Sequence, residues 1–504
     1  MNTKNQASDI HGKSYSRISV MLLILLATFA GILMQTSLGT AIPTLMKEFD
    51  INLSTAQQAT TWFLLANGVM IPLTAYLATR VSTRLLHIIA YAILALGISI
   101  TALTPATNSA WFMFLIGRVL AAIAVGVMMP LMQIVILNMF SIKQRATALG
   151  LSGLVIGMGP AIGPTLSGWI LDQNHVIFGL TISNSWRTIF IIPLIVIIIA
   201  LVLSPFIMKD VIPNKKVKLD ILSLFYSVIG FGLFLLGFTN VATDGWTDVL
   251  NVISPIVLGM VLLAVFVLRQ LKLEVPFLDI KVFKVKEFTI TTITLILVTM
   301  AMYGVEMMLP TYLQNVHGLT PLNSGLTLLG GALMMGIISP VAGVLYNKVG
   351  VKRLVLVGLS IIAIGTVPFV FLSESTPTHI ITVMYAVRML GVALTMMPLT
   401  TRAMSALPTE MSTHATAANN TMRQVSSSIV VALLTSVTQN IMNTNAPNAA
   451  LKTLDPIKYG AQSLTASMDG FRVAFAIGLS FAVVGLIIAL FITNQKPETL
   501  EKDK

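Results

Sequence analysis

The sequence contains no cysteine, which excludes disulfides, thiol catalysis and cysteine-ligated metal. Charge is nearly as scarce: only 10% of the residues are Asp, Glu, Lys or Arg. A soluble domain usually carries about 25%, and although the length alone would suit roughly three soluble domains, nothing here could coat their surfaces. The 6 histidines (His11, His87, His175, His317, His379 and His414) are scattered without metal-ligand spacing. A glycine-rich phosphate loop followed by Lys-Ser/Thr is missing, so ATP is not the expected driver and no cofactor is implied. Alternating ~10-residue segments of the kind that build membrane barrels are missing too.

What is abundant is apolar length. The chain is 504 residues long and 56% hydrophobic, with runs long enough to cross a bilayer at roughly 20 residues per helix. We read an all-α integral membrane protein with about fourteen spans. They are 18–46, 57–79, 85–104, 110–138, 146–170, 187–208, 220–241, 249–268, 288–312, 321–346, 354–372, 378–401, 414–440 and 471–493. The basic start, Met1 to Arg17, leads straight into the first span without a cleavage site and reads as a retained cytoplasmic tail. With that tail inside, only Lys47, Arg187, Lys452, Lys458 and Arg472 of the 31 basic residues fall in outside loops, and Arg118, Arg388 and Arg423 lie within spans. Both termini are therefore expected to be cytoplasmic. Trp62, Trp111, Trp169, Trp186 and Trp246 fall near the outer span ends, where amphipathic rings favour the interface. The net charge of +12 thus reflects topology and attraction to lipid headgroups, not nucleic acid.

The chain also repeats itself. RVLAAIAVGVMMP runs from Arg118 to Pro130, and RMLGVALTMMP from Arg388 to Pro398. Each sits in the fourth span of a six-span set, provided the seventh and eighth spans are an insertion. The loops ATRVSTR (Ala78–Arg84) and YNKVGVKR (Tyr346–Arg353) echo each other in the same register. Duplicated six-span halves point to alternating access, with a site near the midplane between them. The expected organisation is a tail 1–17, an N-terminal bundle 18–208, a linker 209–287 with two inserted spans, a C-terminal bundle 288–493 and a tail 494–504. The outer stretch 441–470, rich in Asn, Ala and Thr, reads as a long mobile loop.

These residues resemble the major facilitator superfamily, specifically the fourteen-span drug:proton antiporters of the EmrB/QacA type, and within them the lincomycin-resistance exporters. The likeness spans nearly the whole chain. It rests on LMQTSLGTAIPTLM in the first span, GLSGLVIGMGPAIGPTLSGW in the fifth, EVPFLDIKVF after the eighth, LPTYLQNVHGLTPLNSGL and NNTMRQ. Two features depart from the family. Its loop motif, Gly-x-Leu-x-Asp-Arg, keeps only Leu77 and Arg80 here, with Ala75 and Thr79 in place of Gly and Asp. Arg84 follows, and in the second half Gly343 and Gly350 persist while Asn347 stands where the Asp would be. A charge relay through those aspartates does not carry over. Many relatives also have an acid in the first span, where this chain has Met34, Gln35 and Thr36.

Glu306, in MAMYGVEMMLP, is the one carboxylate set deep in a span. An ionised group at that depth costs several kcal/mol unless it faces water or a partner. Its expected use is a site alternately protonated and deprotonated; the alternative is a structural acid paired with an Arg or with Tyr303. The resemblance places spans one, four, nine and twelve around the cavity, which puts Gln35, Thr36, Met302, Tyr303 and Arg388 on its wall. It also gives Arg118 a part in proton coupling, against a purely structural guanidinium held by carbonyls. Arg423 reads as structural. In the fifth span, Gly153/Gly157 and Gly159/Gly163 are four apart and clear a helix face, while Pro160 and Pro164 remove backbone donors. The resemblance assigns this segment to sealing the closed state. Methionine numbers 28, and Met128-Met129, Met302, Met307-Met308, Met334-Met335 and Met396-Met397 either line an adaptable pocket or fill the core.

The expectation is a non-enzymatic, proton-coupled multidrug exporter in a bacterial-type cytoplasmic membrane. Uncharged Gln35 and Thr36 favour hydrophobic or amphipathic, neutral or weakly basic substrates. The expected partners are protons, small molecules and membrane lipids, with no nucleic acid and, by resemblance, a monomeric chain. The alternatives are an exporter of a native lipid, peptide or metabolite, and a non-transporting membrane enzyme or sensor.

Overall fold

The computed structural model describes residues 6–140, 155, 159, 162–177, 179–212, 220–274, 276, 278–407 and 411–493. It is built of helices: α1 (Arg17–Thr36), α2 (Leu38–Phe49), α3 (Leu53–Arg80), α4 (Thr83–Leu103) and α5 (Trp111–Met139). A helical stretch over 162–172, α6, is the described part of the expected fifth span. Then come α7 (Thr188–Ile207), α8 (Ile221–Asp244), α9 (Ser254–Lys272), α10 (Lys286–Asn315), α11 (Pro321–Val349), α12 (Val351–Val370), α13 (Thr378–Ser405), α14 (Ser412–Thr444), α15 (Leu451–Leu454) and α16 (Pro456–Ala489). Two three-residue hairpins complete it: Gln6–Ser8 with Ser14–Ser16, and His175–Ile177 with Leu180–Ile182.

Among the described residues, 12 helices are long and apolar enough to cross a membrane. The helix α3, of 28 residues, has the length but carries polar side chains from Ser54 to Thr61; it and α6 hold the places of the two other expected spans. Tertiary contacts explain why the polar stretch is tolerated, since Gln57, Thr60 and Thr61 are all buried. The first expected span is interrupted at Ser37, which stays right-handed (φ −69°, ψ −19°), so α1 and α2 follow one path. Gly350 (φ +87°) makes the tight turn between α11 and α12, a conformation that disfavours any side chain.

One expectation is corrected here. Most of 441–470 is helical: α14 runs on to Thr444 and α16 starts at Pro456. The Asp455 side chain caps α16 by accepting from the Lys458 amide, and proline occupies the first turn. These start signals precede the apolar run, so a boundary drawn from hydropathy alone falls late.

The packing repeats. In the first half α5 packs on α1, α3 and α4, and α7 packs on α1 and α4. In the second, α13 packs on α10, α11 and α12, and α16 packs on α10 and α12. The first half has its own apolar core, and that of the second half extends across to Ile42, Leu53, Ala56 and Leu64 of α2 and α3. The halves meet along α3–α14, α2–α10 and α2–α11. The inserted pair α8–α9 packs on itself and lays α8 against α14 and α3, beside the seam. Phe49, Trp111, Phe114, Trp186 and Phe190 form an aromatic cluster that joins the ends of α2, α5 and α7.

Candidate functional site at the seam between the halves

Arg118 of α5 and Arg388 of α13 occupy equivalent places. Arg118 is 1% exposed; its Nη1 donates to the Met34 carbonyl of α1 at 2.6 Å, and its Nε to the Ala59 carbonyl of α3 at 3.4 Å. The guanidinium lies over the Phe63 ring, 4.2 Å from the centroid. Arg388 is fully buried; its Nε donates to Thr366 Oγ1 at 3.0 Å and its Nη2 to the Ala301 carbonyl of α10. Each arginine therefore ties the fourth span of its half to the first, through main-chain oxygens. One nitrogen of each, Nη2 of Arg118 and Nη1 of Arg388, is buried without a hydrogen-bond partner.

Glu306 is 5% exposed and is the only buried carboxylate among the described residues. It feels the charge of Arg388 without forming an ion pair with it, because the two are farther apart than 4.0 Å. Tyr303, one turn earlier on α10, and Tyr385, one turn before Arg388 on α13, both interact electrostatically with the carboxyl group. Tyr303 also crosses the seam: its hydroxyl accepts from Gln35 Nε2 of α1 at 3.2 Å. Arg423 of α14 and Ser427 lie beside that hydroxyl. The expected residues Gln35, Tyr303, Glu306 and Arg388 thus gather in one polar patch on α1, α10 and α13.

Other expected residues stand elsewhere. Among the described residues no acid pairs with Arg118, which belongs to the first half's own packing. Thr36 turns from the seam towards α6, donating to the Ile32 and Gly159 carbonyls, each at 3.1 Å. Met302 is buried, with its carbonyl 3.5 Å from Arg388 Nη2. Of the methionine clusters, Met128, Met307 and Met308 are core, whereas Met397 is exposed. Gly159 and Gly163 let α6 approach α1, for a Cβ at either would run into Ile32 or Thr36. Gly153, Gly157 and Pro160 lie outside the described residues, as does the Asn347 side chain. Pro164 is described: its carbonyl accepts from Thr40 Oγ1 at 3.0 Å. In the loops, Arg80 is exposed with partners of its own, the Arg84 amide donates to Asp210 Oδ1 at 2.9 Å, and Gly343 meets Met397.

The sequence reading missed what shuts one end of the seam. Gln314 Nε2 of α10 donates to the Thr40 carbonyl of α2 at 2.8 Å, and Gln57 Nε2 of α3 to the Met307 carbonyl at 3.3 Å. The Leu53 amide donates to Gln439 Oε1 of α14 at 3.0 Å. Deeper in the seam, Ser428 Oγ of α14 donates to the Thr61 carbonyl at 2.7 Å. Backbone meets backbone where α6 crosses α11: a Cβ on Gly325 would lie 2.8 Å from the Pro164 carbonyl oxygen. Also unanticipated was the ion pair between buried Arg402 and half-buried Glu287, 3.1 Å apart, which joins the far ends of α13 and α10.

A family model described as Major Facilitator Superfamily matches residues 24–431. Among curated proteins, an uncharacterized MFS-type transporter, YcnB of Bacillus subtilis, is 38% identical over 97% of this chain and 98% of its own length. The lincomycin resistance protein LmrB of Listeria innocua is 34% identical over 96% of this chain and 98% of its own. Among solved structures, a bacterial homolog of the human lysosomal transporter Spinster, inward-facing and occupied, superposes with a TM-score of 0.65. It is 13% identical and covers 94% of this chain and 96% of its own, a likeness of fold alone.

Proposed function

We propose, from the premise that the chain belongs to the major facilitator superfamily, that it is a proton-coupled exporter of hydrophobic or amphipathic compounds, mostly neutral or weakly basic, working by alternating access. The transporter class and the multi-pass membrane setting follow from the family. The coupling ion, the substrate class, the cytoplasmic placement of both termini and a monomeric state are our reading. With the termini inside, the end tied by Gln57, Gln314 and Gln439 faces outward.

One observation carries the reading: Glu306 is buried one turn from Tyr303, which crosses the seam, and it feels the charge of Arg388 without being bonded to it. Adding or removing a proton there changes the charge of a patch that also contains the cross-seam contact Gln35–Tyr303. A protonation event can thereby favour one packing of the halves over the other, which is what coupling requires. The uncharged Gln35 offers hydrogen bonds but no countercharge, which suits neutral and weakly basic ligands. Similarity to lincomycin resistance proteins supports lincosamides as the first compounds to try.

The test is flux in liposomes under an imposed pH gradient, with a dye or a lincosamide as cargo, for the parent and Glu306→Gln. Gradient-driven flux that disappears in the variant while ligand binding survives supports the proposal. Flux that persists in the variant moves coupling away from Glu306. Flux in the parent that follows a sodium gradient instead replaces the proton.

A further inference from the structure

An apolar cleft lies where the inserted pair α8–α9 meets the α3–α14 seam. It holds about 150 Å³ and is walled by Val69 of α3, Phe231 of α8, Leu263, Phe266 and Val267 of α9, and Met422 of α14, with Leu278, Ile280 and Phe283 as its floor. Cavities of this size with apolar walls stay dry and take apolar ligands. Its neighbours narrow the choice. The inserted pair α8–α9 presents unpartnered apolar side chains, among them Phe225, Val228, Val261, Val265 and Leu268, all of them exposed. In a membrane protein such faces meet lipid, so the cleft opens to hydrocarbon.

Its rim is basic. Ile280 and Phe283 belong to a short turn, Ile280–Lys284, whose Lys281 and Lys284 are exposed, and Lys272 ends α9 nearby. The acids alongside are otherwise engaged or outward: Asp279 accepts from the Lys281 amide at 3.0 Å, Asp220 forms a bidentate pair with Arg269, and Glu274 is exposed. Among the described residues none of these three lysines has an acidic partner within 4.0 Å. The floor is also held still. Ser223 Oγ donates to Asp220, Gln270 Nε2 to Ser223 Oγ at 2.6 Å, and the Leu278 amide to Gln270 Oε1 at 3.2 Å, so the linker is clamped onto the inserted pair.

We propose that this cleft seats an acyl chain of an anionic membrane phospholipid, its headgroup held by Lys272, Lys281 and Lys284. An apolar slot flanked by a turn whose lysines have no acidic partner among the described residues matches that amphiphile. Because Val69 and Met422 come from opposite halves, the bound lipid touches both halves and the insertion at once. Its occupancy should then depend on how the halves are packed.

The test is native mass spectrometry of the full chain, purified and titrated with phosphatidylglycerol or phosphatidylcholine. The parent should retain phosphatidylglycerol preferentially. Lys281→Gln with Lys284→Gln should weaken that retention by roughly ten-fold or more, towards the phosphatidylcholine level. Leu263→Trp, which fills the cleft, should reduce retention of both lipids. A phosphatidylglycerol with a photoreactive acyl chain should label α9 in the parent, which covers the case of a poorly folding tryptophan variant. Equal retention of both lipids by the parent, an undiminished preference after the lysine changes, or photolabel confined to other helices overturns the proposal. Displacement of the lipid by a transported compound at stoichiometric amounts overturns it too, making the cleft a substrate route.

Discussion

The closed end of the seam can be forced by one carbon atom. Gly168 of α6 packs so tightly on the start of α11 that a Cβ there would lie 2.9 Å from the Pro321 carbonyl carbon and 3.1 Å from Leu322 Cα, with the Pro321 oxygen nearer still. These are backbone atoms at a helix start and cannot turn aside as a flexible side chain would. Overpacking of this kind costs about 1–3 kcal/mol. Here it falls on only one conformation, because α6 and α11 belong to different halves and separate when that end opens. Gly168→Ala should therefore shift the balance towards the state open at this end by roughly 5- to 150-fold. The absence of native cysteine makes the measurement clean. Spin labels on Lys47→Cys and Asn323→Cys, both exposed at that end and on opposite halves, report its width. The distance distribution should lengthen in the Gly168→Ala background. Gly97→Ala is the control, since its Cβ would meet the Ala121 amide nitrogen at 2.5 Å inside the first half. It should lower thermal stability and leave the distribution in place. An unchanged distribution in Gly168→Ala, with folding intact, would refute the view that this crossing opens during the cycle.

Gln314→Leu and Gln57→Leu each remove one cross-seam hydrogen bond to a carbonyl, worth about 1 kcal/mol, and each should lengthen the same distribution less than Gly168→Ala does. Arg388→Lys should lower the melting temperature by the equivalent of about 1–3 kcal/mol, because an ammonium cannot serve Thr366 and the Ala301 carbonyl in the guanidinium's fork geometry. Thermal scans in detergent check it, and a melting temperature equal to the parent's would contradict the role. His317, in the turn between α10 and α11, is held below the ordinary imidazole value by burial, with a backbone contact at Ser373 opposing. The folded chain therefore binds that proton less readily than the unfolded chain. Its contribution to stability is full above the usual histidine value of about 6.5 and is lost as pH falls below it towards the lowered one. The melting temperature of the parent should fall between about pH 7.5 and pH 5.5, and should fall less in His317→Gln.

Hydropathy was enough to find twelve of the spans, because a bilayer excludes the residues that mark loops elsewhere; α3, with its polar first turns, and the partly described fifth span are not among the twelve. The rare intramembrane charges were legible for the same reason, and Glu306, Arg118 and Arg388 all proved buried. Their partners were not. Arg118 and Arg388 are held by the carbonyls of Met34 and Ala301, and a carbonyl leaves no trace in residue identity. The seam glutamines escaped notice because Gln57, Gln314 and Gln439 are polar residues near span ends, where many would simply face water. Thr36 was assigned to the cavity wall by helix alone; its true direction is set by the close approach of α6 through Gly159 and Gly163, a tertiary fact. Tyr385 was within reach, since it stands one helical turn before Arg388 and must share its face.

The duplication supplies an internal control on Glu306. If the acid were present to neutralise a buried arginine, both halves should need one, because Arg118 and Arg388 are equally buried and equally tied from the fourth span to the first. Among the described residues the first half manages without an acid: Arg118 is held by two carbonyls and the face of Phe63, with Nη2 left unpaired. Arg388 has the same kind of support from Thr366 and Ala301, and its Nη1 stays unpaired even with Glu306 nearby, so the acid does not serve as its hydrogen-bond partner. A carboxyl group that the arginine can do without, placed where an unneeded charge is expensive, is hard to explain as scaffolding. Its position completes the argument. Glu306 lies one turn from Tyr303, the residue through which the second half touches Gln35 of the first. The asymmetry between the halves thus falls at the contact between them, where a change of charge on one half can be felt by the other.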